Sequence, residues 1–433
     1  MQQKFQRIQE LDFIRGIAIL VMLVFHSSYY WDSTMSSAEM NIWLRNPLAI
    51  FALFIGKFAG IFAVISGAAN AISISARVEN KKNKIGGIIY SSFIAGLWII
   101  FVGRMHTSMF NHTIKGDLVT PYPDGPEQYS LLVGSIQTGE LQFPSEFILI
   151  FKNTALFVIG MSVMCSGVFF SLLSRKNNHE KIKRNMLVIG TVATIVVLAT
   201  EPLKIWLRPI WVNYALNHQY VKGLLLGFLI GDSYPFFPYA GFAFYGMIFG
   251  VAYYHQIDRK KVAKIGGAVG GVFLILGIIL LIILGHPDIT EVFQTLSIQW
   301  NLSQIGSMIL VMTLLYWAHF DTKMSKIKRI FRSRFVRRFG LQTLTVFFLE
   351  PIVGTSIKAY ILDKLFPGWS IHLALAFVYG LSLIFLWFLI LRGWEEIGFI
   401  GSLEWITAKV LGWLTFREPT RLKIKENLYF DSE

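Results

Sequence analysis

Apolar residues in this chain come in long, nearly unbroken runs separated by short polar stretches, a pattern of buried or lipid-facing helices more than of amphipathic surface helices. About 20 such residues are needed to cross a hydrocarbon layer of ~30 Å. Runs of that kind fall at 11–30, 47–76, 86–105, 147–174, 186–203, 236–254, 264–285, 301–320, 340–360 and 371–391. They predict an all-α fold, a polytopic membrane helical bundle of about ten transmembrane helices. The 47–76 run holds Gly56, Lys57 and Gly60 and is expected to be tilted or broken. Residues 221–231 (VKGLLLGFLIG) are too short to cross and end at Asp232 and Pro235, which reads as a re-entrant or half helix. Residues 396–416 are aromatic-rich and amphipathic and are expected to lie at the cytoplasmic interface.

Composition agrees. Of the 433 residues 54% are hydrophobic and only 15% charged, with a mean hydropathy of +0.54. A soluble protein carries roughly 25% charged residues, so an ordinary soluble enzyme is excluded. The single cysteine, Cys165, excludes an intramolecular disulfide and a cysteine-cluster metal site. The net charge of +14 reads as basic loops and not as a nucleic-acid surface. Basic clusters at Lys4/Arg7, Arg77–Lys84, Arg175–Arg184, Arg259–Lys264, Lys323–Arg338 and Arg417–Lys425 all fall on one side if the spans alternate. By the positive-inside rule that side is cytoplasmic and holds both termini. The opposite loop 106–146 carries Asp117, Asp124, Glu127, Glu140 and Glu146. Asp12 and Arg15 interrupt the first run and no small-residue cleavage site follows, unlike a cleavable signal peptide. Residues 1–425 read as one integral-membrane domain, and 426–433 (ENLYFDSE) as a protease-site tag remnant.

Ionisable groups inside a hydrocarbon layer are costly and mark candidate chemistry. Arg15 and His26 are 11 residues apart in the first run, which returns to within about 20° on a helix, and Asp12 falls within about 40° of His26. The three line one stripe. The plainer alternatives are an interfacial ion pair for Asp12 and Arg15 and an interface histidine for His26. The third span ends in GRMH, so Arg104, His106 and Asp117 reach the same outer side as His26, with His112 close behind. Glu350, in TLTVFFLEPIVG, lies in the outer half of its span and requires a donor or a cationic partner. No HExxH, Walker or GxSxG motif occurs, and the histidine spacings suggest no zinc site. The glycines of KIGGAVGG sit on a span and read as close helix packing.

The run RIQELDFIRGIAILVMLVFH resembles the heparan-α-glucosaminide N-acetyltransferase-like family of membrane acyltransferases. The Arg15-to-His26 spacing matches the signature of the wider superfamily that includes the acyltransferase 3 proteins. FAGIFAVISGAANAI (58–72), GRMHTSMFNHTIKGDL, PFFPYAGFAFYGMIFG (235–250), FGLQTLTVFFLEP (339–351) and GSLEWITAKVLGWLTF (401–416) resemble further segments of it, the last one the tail of bacterial relatives. Two departures stand out. Many relatives carry His or Gln where this chain has Glu350, and the first outer loop, Ser27–Lys57, lacks the histidine that the lysosomal enzyme is thought to use.

The resemblance implies transfer of an acetyl or other short acyl group from cytoplasmic acyl-CoA, acetyl-CoA above all, to an amino or hydroxyl group of a sugar or lipid-linked glycan on the far side. His26 or His106 then supplies the base, with Asp117 or Glu350 orienting it or holding an ammonium acceptor. Asp12, Arg15, Arg104, Arg332, Arg334 and Arg337 are the candidate acyl-CoA contacts. The implied setting is a prokaryotic plasma membrane, with membrane lipids as partners and a homodimer left open. The competing class is a secondary transporter of a small polar or anionic substrate. It would share the span count, buried charges and broken helix, and would be told apart by inverted repeats and cation-coupled uptake.

Overall fold

The computed structural model describes residues 8–32, 54–55, 60–79, 85–112, 114–115, 127–145, 149–150, 152–174, 181–231, 234–284, 297–321, 325–416 and 424–429. In chain order the first helices are α1 (Gln9–His26), α2 (Ile61–Glu79), α3 (Ile85–Met109), α4 (Leu131–Thr138), α5 (Ala155–Leu173), α6 (Ile182–Leu216), α7 (Tyr220–Ile230) and α8 (Phe236–Tyr254). They are followed by α9 (Arg259–Leu284), α10 (Ile298–Phe320), α11 (Ser325–Phe331), α12 (Arg334–Leu341), α13 (Thr343–Ile357), α14 (Leu373–Glu396), α15 (Leu403–Leu414) and α16 (Ile424–Tyr429). Among the described residues ten helices are long and apolar enough to span a membrane: α1, α2, α3, α5, α6, α8, α9, α10, α13 together with its helical continuation to Leu365, and α14. The chain is an all-α polytopic bundle. A two-residue antiparallel ladder, Ile114–Lys115 with Glu127–Gln128, is the one extended pairing among the described residues. Helices suit this sequence because lipid offers no partner for a free backbone N–H or C=O.

α8 and α10 are the most enclosed spans, 83% and 72% buried, whereas α9 is 11% buried and leans on α10. That contact runs through glycine, as the KIGGAVGG pattern suggests: a Cβ on Gly270 would lie 3.0 Å from the Gly306 carbonyl oxygen, while Gly267 and Gly271 face open space. Gly16 of α1 and Gly340 of α12 face each other's backbone so closely that a Cβ on either would overlap it.

The contacts define two ends of the bundle. At the basic end, Glu10 meets His319, Arg338 meets Glu395 and Arg259 meets Asp321. The site end is the opposite one, where His26, Tyr30, Gly354 and Tyr379 converge.

One boundary differs from the sequence reading. The fifth span, expected to stop near residue 203, continues as helix through Pro202 and Pro209 to Leu216. Glu201 and Lys204 look like an interface in the sequence, yet Lys204 is buried and Glu201 accepts the Ile298 N–H at 3.2 Å. Packing supplies partners that composition cannot show, and an apolar helix tolerates proline where neighbours meet the freed groups. α7, at 11 residues, is the short segment expected. α15, at 12 residues, is too short to cross. The segment at 424–429 packs against α12, where Leu428 is buried and the Arg337 guanidinium donates to the carbonyls of Asn427 and Leu428. Of the long 47–76 run, Gly56 and Lys57 lie outside the described residues.

Candidate active site

Three chain segments far apart in sequence meet at the site end. α1 delivers His26 at its last residue, α13 delivers Glu350 in mid-helix, and the turn after α3 delivers His112. His26 Nδ1 donates to Glu350 Oε2 at 2.8 Å, and His112 Nε2 donates to the same oxygen at 3.0 Å. The Tyr30 hydroxyl donates to Glu350 Oε1 at 2.9 Å. Glu350 is fully buried, so these three donors supply what a carboxylate there requires. Because a carboxylate oxygen only accepts, each histidine presents an N–H to it, which leaves Nε2 of His26 and Nδ1 of His112 as the second ring nitrogens, each carrying a lone pair in the neutral ring. The His26 side chain is 21% exposed, so its free nitrogen is reachable, while His112 is almost fully enclosed. Burial pulls the His112 ring below the ordinary imidazole range, against the opposing effect of Glu350.

The half-exposed Tyr29 ring stacks on His112, with centroids 4.5 Å apart and planes 8° from parallel. It also meets His26 edge-on at 5.4 Å. His106 is buried six residues before His112, 4.7 Å from the Phe347 ring and 5.7 Å from the Phe348 ring, with neither ring nitrogen hydrogen-bonded among the described residues. Arg104 donates to the Lys152 carbonyl at 2.7 Å and to Asn153 Oδ1 at 3.1 Å, with its guanidinium over the rings of Phe157 and Phe228. It thereby fixes the segment that carries Lys152. Burial lowers the Lys152 amine to about 7, and its charge reaches both His106 and His112.

The structure therefore brings together His26 and Glu350 of the sequence candidates, with His106 alongside. Asp117 lies outside the described residues. Asp12 and Arg15 pair at 3.4 Å at the basic end, Asp12 buried and Arg15 partly exposed. Arg332 and Arg334 are also at that end, Arg334 over the Tyr429 ring, and Arg337 is buried on the α16 carbonyls. Sequence reasoning gave His112 only a place close behind His106 on the outer side, with no role, and missed Tyr30 and Lys152. His112 follows the GRMH motif by six residues, and nothing local marks it. Its only signal is the long-range need of Glu350 for donors.

One ligand atom each from His26, His112 and Glu350 lies within 4.8 Å of the others, close enough to share a metal ion. The hydrogen bonds among them use those same atoms, so ion binding and this arrangement exclude each other. Local histidine spacing had no means of registering the cluster.

Fold and site together define a polytopic membrane protein with a histidine–carboxylate centre at one end. Residues 7–113 of the 433 match the family model described as heparan-alpha-glucosaminide N-acetyltransferase, catalytic, and this stretch of the chain is similar to that family. The matched stretch includes Asp12, Arg15, His26, Arg104, His106 and His112; Glu350 and Lys152 fall beyond it. Comparison with curated proteins gave no match.

Proposed function

We propose that this protein transfers an acetyl or other short acyl group from acyl-CoA, held at the cytoplasmic basic end, to an amino or hydroxyl group of a sugar or lipid-linked glycan at the site end. The observation that carries this reading is the hydrogen-bonded His26–Glu350–His112 cluster, seated beside a partly exposed aromatic ring. Both termini are then cytoplasmic, residues 1–425 act as one membrane domain, and a prokaryotic plasma membrane is the setting.

Acyl transfer from a thioester needs a nucleophile stripped of its proton as it attacks. In the mechanism we propose, Nε2 of His26 takes the proton from the acceptor nitrogen or oxygen, while Glu350 holds the ring through Nδ1 and balances the charge that develops on it. The acceptor–carbon bond forms, the carbon–sulfur bond breaks, and the proton passes from His26 to the departing CoA thiolate. Lys152, its amine lowered by burial to about 7, is in part uncharged near neutral pH and so weighs less on the imidazolium than an ordinary lysine would. At the other end Arg15, anchored by Asp12, is suited to the anionic groups of CoA.

The test is acyl-CoA turnover by the purified protein in proteoliposomes, with a panel of amino sugars and lipid-linked sugars. Release of free CoA that depends on an acceptor supports the reading. Cation-coupled uptake of a solute without turnover would replace it with the transporter class.

A further inference from the structure

α6 is too long for a membrane. Its 35 residues extend about 52 Å, against a hydrocarbon thickness of ~30 Å. Glu201 marks where the span reaches the site end, because it accepts the N–H of the first residue of α10. Past that point the exposed positions of α6 are Pro202, Ile205, Trp206, Pro209, Ile210, Asn213 and Leu216, of which only Asn213 is polar. This stripe continues the lipid-facing one formed by Leu187, Ile195 and Leu198 on the same helix. It passes on to α7, where Val221, Leu225 and Leu229 stand out at four-residue spacing, Val221 72% exposed, beside the exposed Lys222, whose ammonium lies 5.4 Å from the centre of the Tyr214 ring. An apolar surface of this extent facing water is unusual, and continuity with a lipid-facing span identifies what covers it.

The other side of the hairpin is tied to the site. Trp211, Ala215 and Ile230 form a small core of their own with Ile150. Asn153 Nδ2 donates to the Gly227 carbonyl at 2.9 Å, and Phe228 stacks on Phe157 at 4.5 Å beneath the Arg104 guanidinium. α7 is thus bonded to the segment that carries Lys152.

From this we infer that the α6–α7 hairpin, bonded on one face to the Lys152–Asn153 segment and apolar on the other, is a lipid-embedded wall of the site, and that the hydrocarbon chain of a membrane-borne acceptor lies along Val221, Leu225 and Leu229. The acceptor part rests on the acyl-transfer reading above. The acceptor is then an amphiphile, presenting its hydroxyl or amine to His26 while its chain stays in the membrane.

Two measurements decide it. In a Cys165→Ser background, Val221→Cys carries a fluorescent label in phosphatidylcholine vesicles. Quenching by nitroxides on the lipid chains, and not by aqueous iodide, is expected. Quenching by iodide alone, or shielding from both by a second copy or a protein, would overturn the inference. In the second arm, transfer to dodecyl glucosaminide is compared with transfer to methyl glucosaminide in the Val221→Asn/Leu225→Asn double variant. The KM for the dodecyl acceptor is expected to rise about tenfold, as for losing contact with roughly two methylenes, with the methyl acceptor unchanged. Equal behaviour of the two acceptors, whether both weakened or both unaffected, overturns the acceptor part. If the unaltered protein acylates neither, the acyl-transfer reading fails and the acceptor part with it, while the quenching arm still decides the wall.

Discussion

The Thr345 hydroxyl donates to Glu404 Oε2 and accepts the N–H of Leu403, so that the first turns of α13 and α15 cap each other. Glu404 Oε1 also accepts the N–H groups of Leu344 at 2.6 Å and Thr345 at 3.3 Å, donors that have no partner within the first turn of α13. A carboxylate between two helix N-termini is favoured by both dipoles. Five residues further along α13 comes Glu350, and between them lie the phenylalanines that hold His106. The short tail helix therefore sets the position of the helix that carries the carboxylate of the site.

The first prediction follows from that geometry. Glu404→Ala strands two backbone donors and costs about 1–3 kcal/mol, read as a lower thermal midpoint in detergent. Glu404→Gln keeps an acceptor and recovers part of it. If α13 also shifts, turnover falls with little change in the KM for acyl-CoA. A variant with unchanged stability and turnover would show that α15 only rests on the bundle.

The second concerns His26 and Glu350. His26→Ala is expected to lower turnover by about 10²–10⁴-fold with the fold retained. Glu350→Gln, which loses the charge that balances the imidazolium, is expected to act through the same step. The double variant should then be little worse than His26→Ala alone. Multiplying losses would separate the two residues. His106→Ala serves as the contrast: its ring nitrogens meet no hydrogen-bond partner among the described residues, so it should cost stability through lost packing while retaining more activity than His26→Ala.

Much of this was legible in the sequence, for a physical reason. Spans are written as composition over about 20 residues, so all ten could be counted from runs alone. His26 and Glu350 stood out because a titratable group in hydrocarbon is conspicuous. His112 did not, because it sits in a polar loop where a histidine is ordinary, and its place on Glu350 depends on a contact 238 residues away in sequence. Lys152 was hidden in the same way by its position at the edge of a run. The extension of α6 past Pro202 was lost because the partners of Glu201 and Lys204 belong to packing, which periodicity does not encode.

Asp12 and Arg15 are predicted to be coupled. Asp12 is buried at 2% exposure, so Arg15→Ala leaves it with one cationic partner fewer and is expected to cost about 1–3 kcal/mol. Asp12→Asn/Arg15→Gln together should be less damaging than the sum of the singles in a thermal unfolding cycle. Strict additivity would mean the 3.4 Å pair contributes nothing as a pair.

Lys152 gives a pH signature. Its amine is lowered to about 7 from 10.5, so the unfolded chain holds more protons than the folded one between those values. Stability should therefore rise with pH across that window, the penalty being fully present below 7, and Lys152→Met should remove that part of the slope. The same variant removes a positive charge that helps to lower the His112 ring, so that ring should titrate at a higher pH. Superimposable profiles would place the amine outside the working site.

Arg332 and Arg334 provide the last test, directed at the donor. With Lys323, Lys326, Lys328, Arg329, Arg337 and Arg338 they make a stretch of eight basic residues in the sequence. Such a cluster obeys the positive-inside rule and meets anionic lipid in any case. CoA is also polyanionic, and the same potential would raise its local concentration. Arg337 is engaged with the α16 carbonyls, so altering it would test the fold and not the field. Arg332→Gln/Arg334→Gln leaves that contact intact. Electrostatic recruitment predicts a higher KM for acyl-CoA, a weaker dependence of that KM on salt, and unchanged turnover at saturation. If KM and its salt dependence stay at the unaltered values, the cluster acts on membrane orientation and lipid alone, and the donor is held by groups nearer Arg15.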